Sequence, residues 1–142
     1  MKWVKQILDY KGHDVWSVAP DQSVYEAIAL MSEKGIGALL VMHDDKLAGI
    51  ITERDYARKL ILEGRSSRDT PVRDVMSHKV VCVRPEQPVE ECMALMTDKR
   101  IRHLPVLDHK QVVGLVSIGD LVKAIIQEQQ FVIDQLQHYI TH

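Results

Sequence analysis

The chain repeats itself. Sliding it along itself by 65 residues places Pro20-Asp21-Gln22-Ser23-Val24 on Pro85-Glu86-Gln87-Pro88-Val89, Ala29-Leu30-Met31 on Ala94-Leu95-Met96, and Gly49 to Asp55 on Gly114 to Asp120. From Val18 to Asp55 no gap is needed, and 14 of the 38 positions are identical. Most of the other pairs keep their apolar or polar character. A repeat of this length is one supersecondary unit, so two copies fold alike and pack on each other about a pseudo-twofold axis. The boundaries expected from the repetition are residues 1–66 and 67–142.

Hydrophobic periodicity gives each copy the order strand, helix, strand, strand, helix, an α/β plan. In the first copy Val15 to Val18 is a short strand closed by Pro20. A helix runs from about Ser23 to Lys34, with Ser23 and Glu26 at capping-box spacing and an apolar face of Ala27, Ile28, Leu30 and Met31. Ala38 to Met42 and Leu47 to Ile51 are strands around the polar turn His43 to Lys46. A second helix starts near Thr52. The second copy places strands at Val80 to Val83, Leu104 to Leu107 and Gln111 to Val116, a helix from about Pro88 to Lys99, and a last helix from Ser117. Glu63 to Thr70 lacks periodicity and reads as the linker. Val72, Val75 and Met76 match Val4, Ile7 and Leu8 as amphipathic lead-ins, offset three residues from the main register. The last helix continues past its repeat through Phe131, Leu136 and Ile140. Its apolar face needs a cover: a subunit interface supplies one, and the alternative is that the helix folds back on its own chain or frays.

Bulk properties narrow the functions. The formal charge is −2 with 27% charged residues, and no basic run marks a nucleic-acid footprint. No apolar stretch reaches the length of a membrane span, and MKWVKQILDYKGHD does not resemble a signal peptide. Cys82 and Cys92 both read as buried thiols, so a reducing cytoplasm is the simplest compartment. The methionines on apolar faces read as core filler. His138 and His142 have i,i+4 spacing that suits a metal, but a solvated helix end explains them as well. No nucleophile–base–orienter set and no metal cluster appears, so no catalytic residue is assigned.

The chemistry lies in the repeated element Gly-x-x-[Thr/Ser]-x-x-Asp, Gly49 to Asp55 and Gly114 to Asp120. It is a strand running into a helix start. The glycine admits close backbone approach, the hydroxyl residue meets unpaired helix N–H groups, and the carboxylate follows one turn on. A carboxylate beside a hydroxyl suits the two hydroxyls of a ribose, and a helix N-terminus favours phosphate. Capping alone also explains Thr-x-x-Asp or Ser-x-x-Asp. Two copies with the same glycine and the same strand–helix switch favour the ligand reading.

These residues resemble a tandem pair of CBS domains, the Bateman module. The carriers are DVMSHKVVCVRPEQPVEECMALM, RIRHLPVLD and both Gly-x-x-[Thr/Ser]-x-x-Asp elements, and the likeness spans about Val4 to Ile126. The resemblance implies two β-α-β-β-α CBS repeats with clefts for adenosine-containing ligands: AMP foremost, then ADP, ATP, NAD or S-adenosylmethionine. It implies a regulatory role without catalysis. Asp55 with Thr52, and Asp120 with Ser117, would bind ribose. Val15, Trp16 and Leu39, and Val80, Val81 and Leu104, would line the adenine pockets. Arg102 and His103 would reach phosphate and serve the Asp55 site, while their counterparts Gly37 and Ala38 cannot bind phosphate by side chain, so the Asp120 site is less equipped and would be empty or take a less charged ligand. The family commonly forms a homodimer, and a downstream protein would read the ligand state. The alternative is a structural dimerisation or partner-binding module whose ligand clefts are vestigial.

Overall fold

The computed structural model describes residues 1–141. The order is α1 (Val4–Lys11), β1 (Ser17–Val18), α2 (Val24–Lys34), β2 (Ala38–His43), β3 (Lys46–Thr52), α3 (Glu53–Tyr56), α4 (Val89–Lys99), β4 (His103–Asp108), β5 (Gln111–Ser117) and α5 (Ile118–Thr141). A π-helical turn, Ala57–Ile61, continues α3, and a 3-10 turn spans Val72–Asp74. The α/β plan of both repeats is present. The first strand of each repeat is shorter than expected. In the first repeat only Ser17 and Val18 pair, parallel to Leu40 and Val41. In the second, Val83 alone makes a parallel bridge to Val106.

Two compact units form, and they do not follow the chain. One joins Met1–Asp14 to Val81–His142, and the other is Val15–Val80. Each lead-in is held by the repeated Pro-x-Gln turn of its unit. The Val72 N–H donates to the Gln22 carbonyl at 2.8 Å and that of Arg73 to Pro20 at 2.9 Å. The Val4 N–H donates to the Gln87 carbonyl at 3.0 Å and that of Lys5 to Pro85 at 2.8 Å. The turn glutamines also fold back, Gln22 Oε1 accepting from the Ala19 N–H and Gln87 Oε1 from that of Arg84. The proline and glutamine that recur in the sequence are therefore the residues that fasten the lead-ins.

The apolar side of each lead-in completes a core. Val4, Ile7 and Leu8 pack with Val83, Val89, Cys92, Met96, Leu104, Val106, Val116, Leu121 and Ala124. Val72, Val75 and Met76 pack with Val18, Val24, Ala27, Met31, Leu39, Val41, Ile51 and Leu60. Burying three aliphatic side chains contributes several kcal/mol, enough to order a short helix that would be marginal alone.

The remaining elements follow local chemistry. Ser23 Oγ accepts from the Glu26 N–H at 3.1 Å, and Gly35, at φ 65, closes α2. The linker is more ordered than its polar composition suggests. The Thr70 carbonyl accepts the Val24 N–H, the Ser67 carbonyl accepts that of Tyr25, and Thr70 is buried. Arg68 lies over the Tyr25 ring at 4.0 Å. Both cysteines are free thiols, Cys92 buried and Cys82 half-buried. The exposed apolar end of α5 carries Phe131, Val132, Ile133, Leu136 and Ile140, as its periodicity predicts. His142 lies outside the described residues, and no metal-binding group of His, Cys, Asp and Glu forms among the described residues. Among the described residues no helix is long and apolar enough to cross a membrane.

Candidate functional site

Both Gly-x-x-[Thr/Ser]-x-x-Asp elements fold as their spacing dictates, at the end of the second hairpin strand. Thr52 caps α3. Its backbone N–H donates to Asp55 Oδ2 at 3.0 Å, its hydroxyl donates to the same oxygen at 3.1 Å, and the Asp55 N–H returns to Thr52 Oγ1 at 3.1 Å. In the second repeat the Ser117 N–H donates to Asp120 Oδ2 at 2.8 Å, and the Asp120 N–H donates to Ser117 Oγ at 3.2 Å. Each carboxylate thus satisfies helix-start donors that would otherwise be unpaired. Both are mostly buried, with side-chain exposures of 12% for Asp55 and 19% for Asp120.

The preceding residues match as well. The Gly37 carbonyl accepts the Glu53 N–H at 3.1 Å, and the Arg102 carbonyl accepts the Ile118 N–H at 2.9 Å. Ala38 pairs with Thr52 across the first hairpin, as His103 pairs with Ser117 across the second. The two switches are therefore one backbone design carrying different side chains. The resemblance groups Arg102 and His103 with Asp55. Within their own compact unit they stand at the strand end beside Ser117 and Asp120, with Arg102 exposed and His103 half-buried.

The motif glycines are explained by the lead-ins. A Cβ on Gly49 would lie 2.7 Å from the Ser77 carbonyl oxygen and 2.8 Å from Met76 Sδ. A Cβ on Gly114 would lie 2.5 Å from Leu8 Cδ2. Met76 and Leu8 are the matched lead-in residues, so the glycine makes room for the chain docked across the strand.

Two cations at these carboxylates are absent from the residues expected at the site. Lys11, the last residue of α1, donates to Asp120 Oδ2 at 2.7 Å and to the Leu115 carbonyl at 2.9 Å. Lys59, one turn beyond Asp55, lies 3.2 Å from Asp55 Oδ1 and donates to the Val75 carbonyl at 3.2 Å. The Asp120 switch therefore has a cation, supplied by α1 and not by the strand end. The i,i+4 spacing of Asp55 and Lys59 was a readable signal. For Lys11 the signal was faint: the lead-in match places it opposite Lys79.

Electrostatics follow from this packing. Burial pushes the Asp120 carboxyl up, but the hydrogen bonds from Lys11 and Ser117 and the Lys11 charge outweigh it, so its pKa lies below 3.8. Asp120 therefore contributes stability at neutral pH that is lost as the pH falls through its folded pKa. His103 is held below 6.5, first by burial and then by the Lys11 charge, with Asp120 opposing and Arg102 adding to the depression. The unfolded chain binds that proton first, so stability declines as the pH drops below 6.5. Replacing Lys11 with methionine is expected to raise both values, read by NMR titration of the His103 ring and the Asp120 carboxyl. Unmoved titrations would show that the Lys11 contact is absent in solution.

The residues expected around an adenine divide in two. Leu39 and Leu104 have no exposed surface and belong to the two cores. Val15, Val80 and Val81 keep partial exposure, and Trp16 is 39% exposed with the Lys34 ammonium 4.1 Å from its ring centroid. A fully buried leucine positions its strand and offers no area to a ligand, so the surface available for stacking is that of Trp16 and the valines.

Comparison with known proteins places this arrangement. The CBS domain family matches residues 4–62 and 72–127. The mitochondrial CBS domain-containing protein CBSX3 of Arabidopsis thaliana is 47% identical over 125 residues, covering 84% of this chain, and the chain spans 61% of that relative's length. A CBS-domain protein from Burkholderia ambifaria superimposes with a TM-score of 0.87 at 55% identity, covering 89% of this chain and 96% of the other. The CBS domain pair of protein MJ0100, solved with 5′-methylthioadenosine and S-adenosyl-L-methionine, superimposes with a TM-score of 0.78 at 25% identity, over 89% and 97% of the two chains. With matched repeats, matched helix-start carboxylates and matched lead-ins, the chain belongs to the CBS domain family as a tandem pair of repeats.

Proposed function

We propose that this chain is a regulatory module that binds an adenosine-containing ligand and performs no chemistry on it. The observation that carries this reading is the duplicated carboxylate switch, Thr52 with Asp55 and Ser117 with Asp120, each mostly buried and each beside a lysine. A ribose diol donates to such a carboxylate, and a nearby ammonium suits a phosphate. AMP heads the candidates, followed by ADP, ATP, NAD and S-adenosylmethionine. Adenosine compounds occupy the CBS pair of protein MJ0100, which supports the ligand class. Arg102 and His103 are proposed as further phosphate contacts. Ligand binding regulates by favouring one conformation or assembly over another, which a protein partner then reads.

Isothermal titration calorimetry with AMP, ATP and NAD tests the reading. Saturable binding of at least one supports it. No heat from any of them at millimolar concentration favours the second reading, a structural pairing module. That reading has its own support, because the cap and lysine contacts already satisfy much of each carboxylate.

The same reading includes a homodimer built on α5. Ile126, Ile133 and Ile140 recur every seven residues on this helix, and Val122, Gln129 and Leu136 recur every seven at the other seam position. All the apolar members of the stripe are exposed in the single chain. A seam that is apolar at every position but Gln129 suits pairing with the same helix of a second copy. Ile133→Asp is expected to convert a dimer to a monomer, measured by light scattering coupled to gel filtration. An unchanged mass would remove α5 from the interface.

A further inference from the structure

The two repeats hold their carboxylates with different cations. Lys59 belongs to the same helical segment as Asp55 and meets it at 3.2 Å. Lys11 comes from a separate element, at the very end of α1, and meets Asp120 at 2.7 Å. It bridges that carboxylate to the Leu115 carbonyl and is itself only 34% exposed. Packing fixes the helix end that carries it. Ile7 and Leu8 are buried in the core beneath it, and the Gly12 N–H closes the helix on the Leu8 carbonyl at 2.8 Å. Asp120 Oδ2 accepts the Ser117 N–H and the Lys11 ammonium together, so Lys11 occupies an oxygen that an incoming hydroxyl would use.

We propose that Lys11 is a specificity-determining residue of the Asp120 site, releasing the carboxylate only to a ligand that brings an anion of its own. The inference rests on the adenosine-binding reading above. A neutral nucleoside whose ribose displaces Lys11 leaves the ammonium without its counter-ion while its charge still acts on His103. A 5′-phosphate supplies a new counter-ion, and the flexible lysine stem with its rotatable donors swings from carboxylate to phosphate. Sugar capture and phosphate capture are thereby coupled through one side chain. The site takes phosphorylated adenosine over adenosine.

The test is calorimetry on the full chain with AMP and with adenosine, in an Asp55→Ala background so that the Asp120 site is read alone. Matched titrations are run with Lys11→Met and Lys11→Arg added, and circular dichroism checks the fold of each. In the Asp55→Ala chain AMP is expected to bind at least about tenfold tighter than adenosine. Lys11→Met is expected to weaken AMP, strengthen adenosine and bring the two affinities to within about threefold, while Lys11→Arg keeps the preference. Salt should erode the AMP preference only where the cation is present. An unchanged ratio in Lys11→Met, or an equal loss for both ligands, overturns the assignment. Binding by Asp120→Ala but by neither ligand in Asp55→Ala also overturns it, while leaving the general reading in place. Failure of the unmutated chain to bind either ligand removes both.

Discussion

Replacing Gly49 with alanine is expected to destabilise the protein by about 2–3 kcal/mol, more than the same change at Gly114. The added methyl group would sit 2.7 Å from the Ser77 carbonyl oxygen, far inside normal contact. That oxygen belongs to backbone and is not free to move away. It accepts the Ile50 N–H at 3.1 Å, while the Ser77 N–H donates to the Ile50 carbonyl at 2.9 Å. Relieving the clash therefore breaks a pair of backbone hydrogen bonds and lifts the second lead-in from its core. At Gly114 the obstacle is the tip of the Leu8 side chain, which relaxes by changing rotamer at a cost of about 1–2 kcal/mol. Urea denaturation of the two variants side by side measures the difference. Equal and small losses at both positions would mean that the lead-ins do not dock against the motif strands in solution.

Asp55→Ala is expected to weaken adenine-nucleotide binding about tenfold to a hundredfold, since a hydrogen bond to a charged group contributes about 1.5–3 kcal/mol. It also removes a helix-start acceptor and should cost about 1 kcal/mol of stability. The two effects separate through Asp55→Asn. The amide oxygen keeps an acceptor for the Thr52 N–H and recovers much of the stability, but it lacks the charge and does not restore affinity. Titration calorimetry measures the first effect and denaturation the second. Intact affinity in Asp55→Ala, with the fold preserved, would reduce Asp55 to a capping residue and favour the module without a ligand.

Much of the fold was legible because its determinants are local or periodic. The helices α2 and α4 follow from apolar spacing and end signals, and the two hairpins from continuous apolar runs around polar turns. The length of α5 followed from periodicity that persists beyond the repeat. The first strands were overestimated because β-rich composition at Val15-Trp16 and Val80-Val81 says nothing about whether a partner strand lies alongside. The linker was underestimated because its order comes from backbone groups that bond to the start of α2, and backbone groups leave no mark in composition.

The candidate site divides in the same way. Thr52 with Asp55 and Ser117 with Asp120 were legible because a capping pair is a three-residue relation. Lys11 was not, because it reaches Asp120 from 109 positions away. Leu39 and Leu104 were assigned to a ligand pocket by resemblance alone, and their packing in the cores was readable from the apolar runs of their strands.

Taken alone, the order of residues determined that there are two copies of one unit, where each helix begins, and which carboxylate stands at each strand end. These are short-range relations, set by backbone sterics, capping and the alternation of apolar side chains. Tertiary structure alone decided which repeat each lead-in completes. Both lead-ins carry the same apolar face and the same fastening contacts, so local energetics do not distinguish the two possible dockings. Because Val4, Ile7 and Leu8 are buried against the second repeat, Lys11 arrives at Asp120.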